Sequence, residues 1–355
     1  MIIHSKFKDY AVRMENDLSF LRSLLHTPQS EFVIDSEIYR LYRRHFEDVP
    51  MQRIFLLEAT EEHKIVDTAL EICEKMTDIP AKRNAHLVSI GGGIVQDVTG
   101  FVANILYRGV PWIFVPTTLL AACDSCIGGK TSLNYKRFKN LLGTFYPPDS
   151  IHVCPAFFQT LSQRDYESGL GEVIKFNIMA GQDGLRNVEA HIDELLARND
   201  TCLERFVSSS LAFKKGFIEA DEFDRGERIK LNFAHTFGHA IETVTQYHIP
   251  HGTAVAIGMI MANRIAEQRD MLSSAVARRS EEVLLRVIHT DVDLREYSLE
   301  QFVEAMRKDK KQTGTNLTAV LMTDTAKDLR VVHDIQIEEV ANALGYFAAL
   351  YQGKE

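Results

Sequence analysis

The stretch "HLVSIGGGIVQDVTGFVANIL", residues 86–106, joins a short apolar run to three glycines and an amphipathic segment. The apolar run predicts a buried strand, and the segment after the glycines predicts a helix. Glycine lets a backbone approach a phosphate, and a helix N-terminus offers N–H groups to an anion. The stretch is neither GxGxxG nor a P-loop, so a tight turn without a ligand is the alternative. We expect Asp97 in the first helical turn, as a partner of the helix dipole.

The same alternation of apolar runs and helical patterns fills the first 155 residues. It predicts a parallel sheet covered by helices. The predicted strands are "QRIFLL" (52–57), "HLVSI" (86–90), "PWIFVP" (111–116) and "SIHVCP" (150–155), and "EFVIDSEIYRLYRRHF" (31–46) reads as a strand followed by a helix. A further amphipathic helix is predicted over residues 61–76.

The pattern changes after Pro155 to long segments with a helical period. They cover residues 163–179, 203–220 and 252–268, and only residues 316–322 and 329–334 indicate strands. We therefore predict an α/β domain over residues 1–155 and a mostly helical domain over residues 156–355.

Composition excludes several classes of protein. A net charge of -9 over 355 residues argues against a general nucleic-acid binder, which needs a basic face. The sequence has no apolar run of about 18 residues for a membrane span and no signal-peptide core at its start. Cys123 and Cys126 form a single CxxC among five cysteines, which favours reduced thiols over a zinc knuckle. A cytoplasmic enzyme is the class we expect.

Polar residues concentrate in "VPTTLLAACDSCIGGKTSLNYKRFKNLLGTFYPP", residues 115–148. They alternate with glycines and show no helical period, which predicts a structured binding loop rather than an ordinary solvated loop.

Two later motifs carry groups that bind metals. In "SGLGEVIKF" (168–176), Glu172 and Lys175 share a helix face, either as a surface ion pair or, given their apolar neighbours, as buried charges that need a partner or a metal. In "LNFAHTFGHAIE" (231–242), His235 and His239 lie four residues apart, and His251 follows. Spacing alone favours His235 and His239 as a ligand pair completed by a carboxylate such as Glu172. Structural core histidines are the alternative.

Taken together, these motifs resemble 3-dehydroquinate synthase and the other sugar phosphate cyclases. The match runs from "EEHK" to "KDKK" and includes "GGGIVQDVTGF", "RG" at 108–109, "KNLLGTFYPP", "SGLGEVIKF", "LNFAHTFGHAIE" and "HGTAVAIGM". The resemblance implies a Rossmann-like NAD-binding domain, a helical metal- and substrate-binding domain, and a homodimer. It also implies a lyase that acts on a small sugar phosphate. The lyase would use NAD+ and Zn2+, with Co2+ as the alternative metal. No nucleic-acid or membrane partner is expected.

The resemblance also implies roles for individual residues. It assigns the metal to Glu172, His235 and His251, and it turns His239 toward the substrate phosphate. The residues implied for NAD are Asp35, Glu61, Lys64, Gly92, Gly93, Ile94, Val95, Gln96, Asp97, Thr117, Thr118, Lys130, Lys139, Phe157 and Thr160. Those implied for the phosphate are Arg108, Asn140, Lys175, Asn232, His239 and either Lys310 or Lys311. Those implied for the ring hydroxyls and carboxylate are Asp124, Lys130, Lys214 (or Lys215) and Arg228.

The implied reaction converts 3-deoxy-D-arabino-heptulosonate 7-phosphate into 3-dehydroquinate. It proceeds by transient oxidation, phosphate elimination, re-reduction and intramolecular aldol closure. Lys214, Arg228 and Asn232 favour this carboxylate-bearing substrate. Gln96 replaces a small residue and Thr253 replaces a glutamate of the family pattern, which keeps two alternatives open. One is a cyclase for sedoheptulose 7-phosphate or an amino analogue, and the other is a metal-dependent alcohol dehydrogenase of the same architecture.

Overall fold

A computed structural model describes residues 1–78, 85–136, 138–308, 316–325 and 328–353, so Lys310 and Lys311 lie outside the described residues. The chain divides into two compact units, Met1–Leu161 and Ser162–Glu355. The division follows the 3-10 segment Pro155–Thr160.

The first unit contains a mostly parallel sheet. Its described strands are β1 (Ile2–Ile3), β2 (Tyr10–Met14), β3 (Ser30–Asp35), β4 (Ile54–Leu57), β5 (His86–Gly91), β6 (Trp112–Pro116), β7 (Lys130–Tyr135), β8 (Phe138–Phe145) and β9 (Ser150–Val153). Its described helices are α1 (Phe20–Leu25), α2 (Ser36–Leu41), α3 (Val66–Thr77) and α4 (Gly93–Ile105). Within the described residues, the main sheet has the order β1-β2-β9-β6-β5-β3-β4, and only the β1–β2 pair is antiparallel.

The central strands β3, β5 and β6 are buried along almost their whole length. A parallel strand covered on both faces needs a continuous apolar run, which is what the sequence provides there. The prediction of an α/β first half is therefore confirmed.

The order of the strands reverses direction at β3. The chain passes from β3 to β4 on one side and then returns to place β5 on the other side of β3. In open α/β sheets, ligands bind beyond the carboxyl ends of the strands at such a reversal. The carboxyl ends of β3 and β5 are Asp35 and Gly91, so this rule points to the glycine stretch.

Three local predictions were wrong. The helix predicted from Glu61 begins at Val66, after a 3-10 turn. Residues predicted as a loop form the antiparallel hairpin β7–β8, whose pairing contains an irregularity that obscures simple alternation. Asp97 lies beyond the first turn of α4, because that helix already begins at Gly93.

The second unit is mostly helical, as predicted. Its described helices are α5 (Gln163–Met179), α6 (Gln182–Leu196), α7 (Asp200–Ala220), α8 (His235–Val244), α9 (His251–Gln268), α10 (Ser274–Leu285), α11 (Leu299–Arg307) and α12 (Ile337–Gln352). The strands β10 (Leu317–Met322) and β11 (Leu329–Ile335) form an antiparallel hairpin. None of the described helices combines the length and the hydropathy that a membrane crossing requires.

Helix α9 is the centre of this unit. It packs against α5, α8, α10 and α12, and nearly all of its residues are buried. A helix that is apolar on all sides belongs inside a fold. Helices α5 and α9 approach closely through two glycines: a Cβ on Gly171 would lie 2.1 Å from the carbonyl oxygen of Gly252, and one on Gly252 would lie 1.7 Å from that of Ser168.

We predict that Gly252→Ala destabilises the protein by about 3 kcal/mol, because the added methyl group meets backbone that cannot move without separating the helices. Gly216→Ala in α7 is the matched control, since a Cβ there would meet nothing within 4 Å. The control should gain about 0.5–1 kcal/mol from helix propensity. Urea unfolding measures both changes, and equal effects for the two variants would contradict the close packing of α5 and α9.

Candidate active site

The residues implied for the cofactor follow the carboxyl ends of successive parallel strands. Asp35 ends β3, and Glu61 and Lys64 follow β4. The residues of the glycine turn, Gly91–Gly93, follow β5, while Thr117 and Thr118 follow β6. Parallel strands bring these positions to one edge of the sheet. The first unit thus collects residues that are distant in sequence.

The glycine turn is shaped for close approach. Gly92 is the N-cap of α4 and supplies no side chain to the N–H groups of its first turn. A Cβ on Gly92 would lie 3.0 Å from the Thr118 side chain, whereas one on Gly93 would meet only the Ser125 hydroxyl at 3.8 Å. The backbone N–H of Thr117 donates to the carbonyl of Gly91 at 2.9 Å and ties β6 to the turn. Such a helix start suits a phosphate.

A polar network lies beside this turn. Lys64 forms an ion pair with Asp97 and donates to Asn140 Oδ1 at 2.7 Å. The hydroxyl of Ser132 lies 3.0 Å from Asp97 Oδ2 and 2.8 Å from Asn140 Oδ1. Burial raises the pKa of Asp97, while Lys64 and Ser132 act in the opposite direction. Burial likewise raises the pKa of Asp35, which accepts from the backbone N–H of Glu37 at 2.9 Å.

The network continues along the β7–β8 hairpin. Asn134 donates to Glu61 Oε2 at 2.7 Å and accepts from the backbone N–H of Asn140 at 2.9 Å. Lys139 lies 3.8 Å from Glu61 Oε1. Asn140 has a left-handed backbone, with φ of 53°, which asparagine tolerates better than most residues. The hairpin therefore joins residues implied for NAD to one implied for the phosphate.

The remaining predicted residues of the first unit occupy varied positions. Lys130 begins β7 and is exposed, and Asp124 lies in the π-helical turn Ala121–Ser125. Arg108 is exposed on a left-handed backbone, with φ of 67°. Phe157 is fully buried against the ring of Tyr42, which also forms a hydrogen bond of 2.9 Å with the Thr160 hydroxyl.

Three helices of the second unit bring a carboxylate and two imidazoles together. Glu172 on α5 is fully buried, and its Oε1 lies 3.5 Å from Nε2 of His235 on α8 and 3.5 Å from Nε2 of His251 on α9. One ligand atom from each residue lies within 4.8 Å of the others. Such a set of oxygen and nitrogen donors is typical of a zinc-type site.

The second nitrogen of each imidazole faces an acceptor. Nδ1 of His235 lies 3.0 Å from the carbonyl oxygen of Phe233, and Nδ1 of His251 lies 3.1 Å from Glu242 Oε2. These contacts fix the rings with Nε2 toward Glu172, as in metal sites where an outer acceptor orients a histidine. Burial lowers the pKa of His251, but Glu242 and Glu172 outweigh it and raise this pKa to about 10 in the metal-free protein. The site therefore strongly favours a cation.

The structure groups the histidines differently from the pair that spacing favours. His239 joins a second donor group with Glu242 and His251, within 4.8 Å, rather than the group around Glu172. The rings of His235 and His239 meet edge to face at 5.3 Å. The group around Glu172 contains His235 and His251, which are the ligands that the family resemblance implies.

Cationic and amide groups surround the same region of the second unit. Lys175 lies 2.6 Å from Glu172 Oε2 and donates to the Leu231 carbonyl at 3.3 Å, within the 3-10 segment Glu227–Asn232. That segment carries Arg228 and Asn232, and the Arg228 guanidinium is buried and donates to the Glu222 carbonyl at 2.6 Å. Lys214 is buried, whereas Lys215 is more exposed and lies 3.5 Å from Glu219.

Sequence reasoning missed three residues at these clusters: Ser125, Ser132 and Glu242. The signal for Glu242 was present, since it lies three residues after His239 on one helix face. Ser125 and Ser132 lie in the polar stretch 115–148, but their partners Gln96 and Asp97 are distant in sequence, so the stretch alone did not identify these contacts.

The chain matches the family models of one enzyme along most of its length. The model described as "3-dehydroquinate synthase N-terminal" matches residues 54–168, and "3-dehydroquinate synthase C-terminal" matches residues 169–312. A 3-dehydroquinate synthase of Dictyoglomus thermophilum is 34% identical over 347 residues, covering 96% of each chain.

Solved structures share the fold at lower identity. A 2-epi-5-epi-valiolone synthase from Streptomyces hygroscopicus, with NAD+ and Zn2+ bound, aligns with a TM-score of 0.83 at 24% identity over 98% of this chain and 99% of that one. A 2-deoxy-scyllo-inosose synthase complexed with carbaglucose-6-phosphate, NAD+ and Co2+ aligns with a TM-score of 0.80 at 21% identity over 97% and 98%. At these identities the likeness concerns the fold.

We predict that Lys64→Met destabilises the protein by about 2 kcal/mol near neutral pH, because it leaves the mostly buried Asp97 carboxylate without its ion pair. Burial raises the pKa of folded Asp97, so the carboxyl binds protons more tightly in the folded than in the unfolded state. The loss of stability caused by Lys64→Met should vanish below pH 3.8, the ordinary pKa of an aspartate. It should grow as pH rises through the raised pKa of Asp97. Urea unfolding across this pH range measures it.

The matched control is Lys139→Met, because its ion pair with Glu61 is longer and half-exposed. That variant should change stability by less than about 0.5 kcal/mol at every pH. A pH-independent loss in Lys64→Met would contradict the role assigned to Asp97.

Proposed function

Because the chain belongs to the 3-dehydroquinate synthase family, we propose that it converts 3-deoxy-D-arabino-heptulosonate 7-phosphate into 3-dehydroquinate and phosphate. The observation that carries the proposal is the donor set of the buried Glu172 and His235 and the half-buried His251, with Lys175 beside it. A cyclase of this kind needs a metal, a redox cofactor and cations for an anionic substrate, and the described residues offer groups suited to each.

The donor set fits a zinc-type ion. Two ligands that each lie about 2.1 Å from a tetrahedral zinc are about 3.4 Å apart. The separations of 3.5 Å between Glu172 Oε1 and the two Nε2 atoms are close to that value. Three protein ligands leave one coordination position for a substrate oxygen. We therefore assign Zn2+ to this set, with Co2+ as the alternative.

The edge of the parallel sheet fits NAD+. The N–H groups at the start of α4 suit a pyrophosphate, and the carboxylate of Asp35 suits ribose hydroxyls. The ion pair of Lys64 and Asp97 and the amide of Asn134 hold this edge in shape. The individual roles of Thr117, Thr118, Lys139 and the other implied cofactor residues are part of this proposal.

When bound, NAD+ and the divalent metal supply the reversible oxidation of one hydroxyl and the polarisation of its oxygen. Lys175 and His239 contact the phosphate and stabilise its charge as it leaves, since charge-assisted hydrogen bonds to phosphate are strong. Arg228 and Lys214, both buried, pair with the substrate carboxylate. Arg108, Asp124, Lys130, Asn140, Asn232 and one of Lys310 and Lys311 complete the substrate contacts. A cytoplasmic homodimer is also part of the proposal.

A second candidate is a cyclase that acts on sedoheptulose 7-phosphate or an amino analogue. The structural likeness to 2-epi-5-epi-valiolone synthase favours it. The buried cations of Arg228 and Lys214 count against it, because they suit a substrate that carries a carboxylate. An alcohol dehydrogenase would differ from both by a net production of NADH.

We predict that the protein, with NAD+ and Zn2+, releases phosphate from 3-deoxy-D-arabino-heptulosonate 7-phosphate and not from sedoheptulose 7-phosphate. A coupled phosphate assay measures release, while absorbance at the NADH band is followed in the same cuvette. The absorbance should show no net rise, because the reaction is redox-neutral. Release from sedoheptulose 7-phosphate alone would establish the second candidate, and net NADH would establish a dehydrogenase.

The variant Arg228→Ala tests the carboxylate contact. We expect a loss of about 100-fold in kcat/KM for the heptulosonate, equivalent to about 2.7 kcal/mol for a buried charge pair. Inhibition by sedoheptulose 7-phosphate, which lacks the carboxylate, should change less than about threefold. Lys230→Ala is the matched control, since that lysine lies in the same 3-10 segment and already pairs with Glu227, and its kinetics should match the wild type. If kcat/KM for the heptulosonate and inhibition by sedoheptulose 7-phosphate weakened by the same factor, Arg228 would not bind the carboxylate.

A further inference from the structure

Gln96 forms a two-bond contact that the family resemblance does not explain. Its Nε2 donates to the carbonyl oxygen of Ser125 at 2.7 Å, and the Ser125 hydroxyl donates to Gln96 Oε1 at 2.7 Å. Gln96 is buried, with 3% of its surface exposed. Both ends of its amide therefore bind Ser125.

Ser125 is the last residue of the π-helical turn Ala121–Ser125, which carries Asp124. A π-helical turn is a rare conformation that occurs mostly at functional sites. Gln96 lies in α4, three residues after its first residue, Gly93. The contact with Ser125 thus attaches the π-helical turn to the helix that begins at the glycine turn.

The neighbouring residue makes a second attachment in another direction. Asp97 binds Lys64 and the Ser132 hydroxyl. Adjacent residues of α4 therefore hold two separate segments, the π-helical turn through Gln96 and the β7–β8 hairpin through Asp97. Buried side-chain hydrogen bonds of this kind fix one geometry, because a half-satisfied amide is costly.

We propose that Gln96 is a positioning residue, which holds the π-helical turn and thereby orients Asp124 toward the substrate. The role of Asp124 in this inference rests on the proposed function. The attachment of Ser125 to Gln96 does not depend on that function. This role concerns the side chain of Gln96 and is separate from the cofactor contact that the family resemblance implies for position 96. Loss of the two bonds loosens Ala121–Ser125 while the glycine turn keeps its shape.

The first test is hydrogen exchange of the wild type, Gln96→Met and Ser125→Ala. Methionine keeps the approximate length of glutamine and removes both hydrogen bonds, whereas Ser125→Ala removes one. Peptides within residues 119–129 should exchange at least about tenfold faster in Gln96→Met and less so in Ser125→Ala. Peptides of α7 in the second unit serve as an internal control. Unchanged exchange of residues 119–129 in both variants would overturn the attachment, and Ser125→Ala alone decides if Gln96→Met does not fold.

The second test separates positioning from cofactor binding. Gln96→Met should lower kcat at least about tenfold and change the Kd for NAD+ less than threefold. In an Asp124→Ala background, Gln96→Met should cause no further loss, because Gln96 acts through that residue. The proposal would be overturned if Gln96→Met weakened NAD+ binding as much as it lowers kcat. It would also be overturned if Gln96→Met lowered kcat as much in the Asp124→Ala background as in the wild type. A wild type inactive on both sugars would refute the proposed function instead, and hydrogen exchange would still decide the attachment.

Discussion

The fully buried carboxylate of Glu172 is the constraint on which the second unit depends. An ionised carboxylate inside a protein costs several kcal/mol unless cations or a metal compensate it. Here Lys175 lies on the same helix, and the imidazoles of His235 and His251 come from two others. Three helices must therefore converge at one point, and the glycines at the crossing of α5 and α9 allow the backbones to approach closely enough.

In the first unit, the main constraint is to hold the polar edge of the parallel sheet in one shape. The reversal of strand order at β3 opens the edge, and the buried pair of Lys64 and Asp97 ties the loop after β4 to the helix after β5. Gln96 and Asp97 attach two further segments to that helix. The polar residues of the edge thus support one another before any ligand is considered.

The sequence predicted regular elements well, because they depend on local periodicity. The helix predicted over residues 163–179 matches α5, and the main buried strands were found. The hairpin β7–β8 was missed because Gly143 and a register irregularity interrupt its alternation. The partner of Asp97 was missed because Lys64 lies 33 residues earlier and meets it only through the sheet. Spacing favoured His235 with His239, whereas Glu172 meets His235 and His251 because three helices converge there.

The metal content of the purified protein tests the central claim most directly. We predict one zinc ion per chain in the wild type after dialysis. After that zinc is removed with a chelator, adding zinc at 100 times the Kd should raise the free energy of unfolding by about 2.7 kcal/mol. Glu172→Gln should lose both properties, while Glu167→Gln, a buried glutamate of the same helix beside His289, should keep them. Stoichiometric zinc retained by Glu172→Gln would contradict the account.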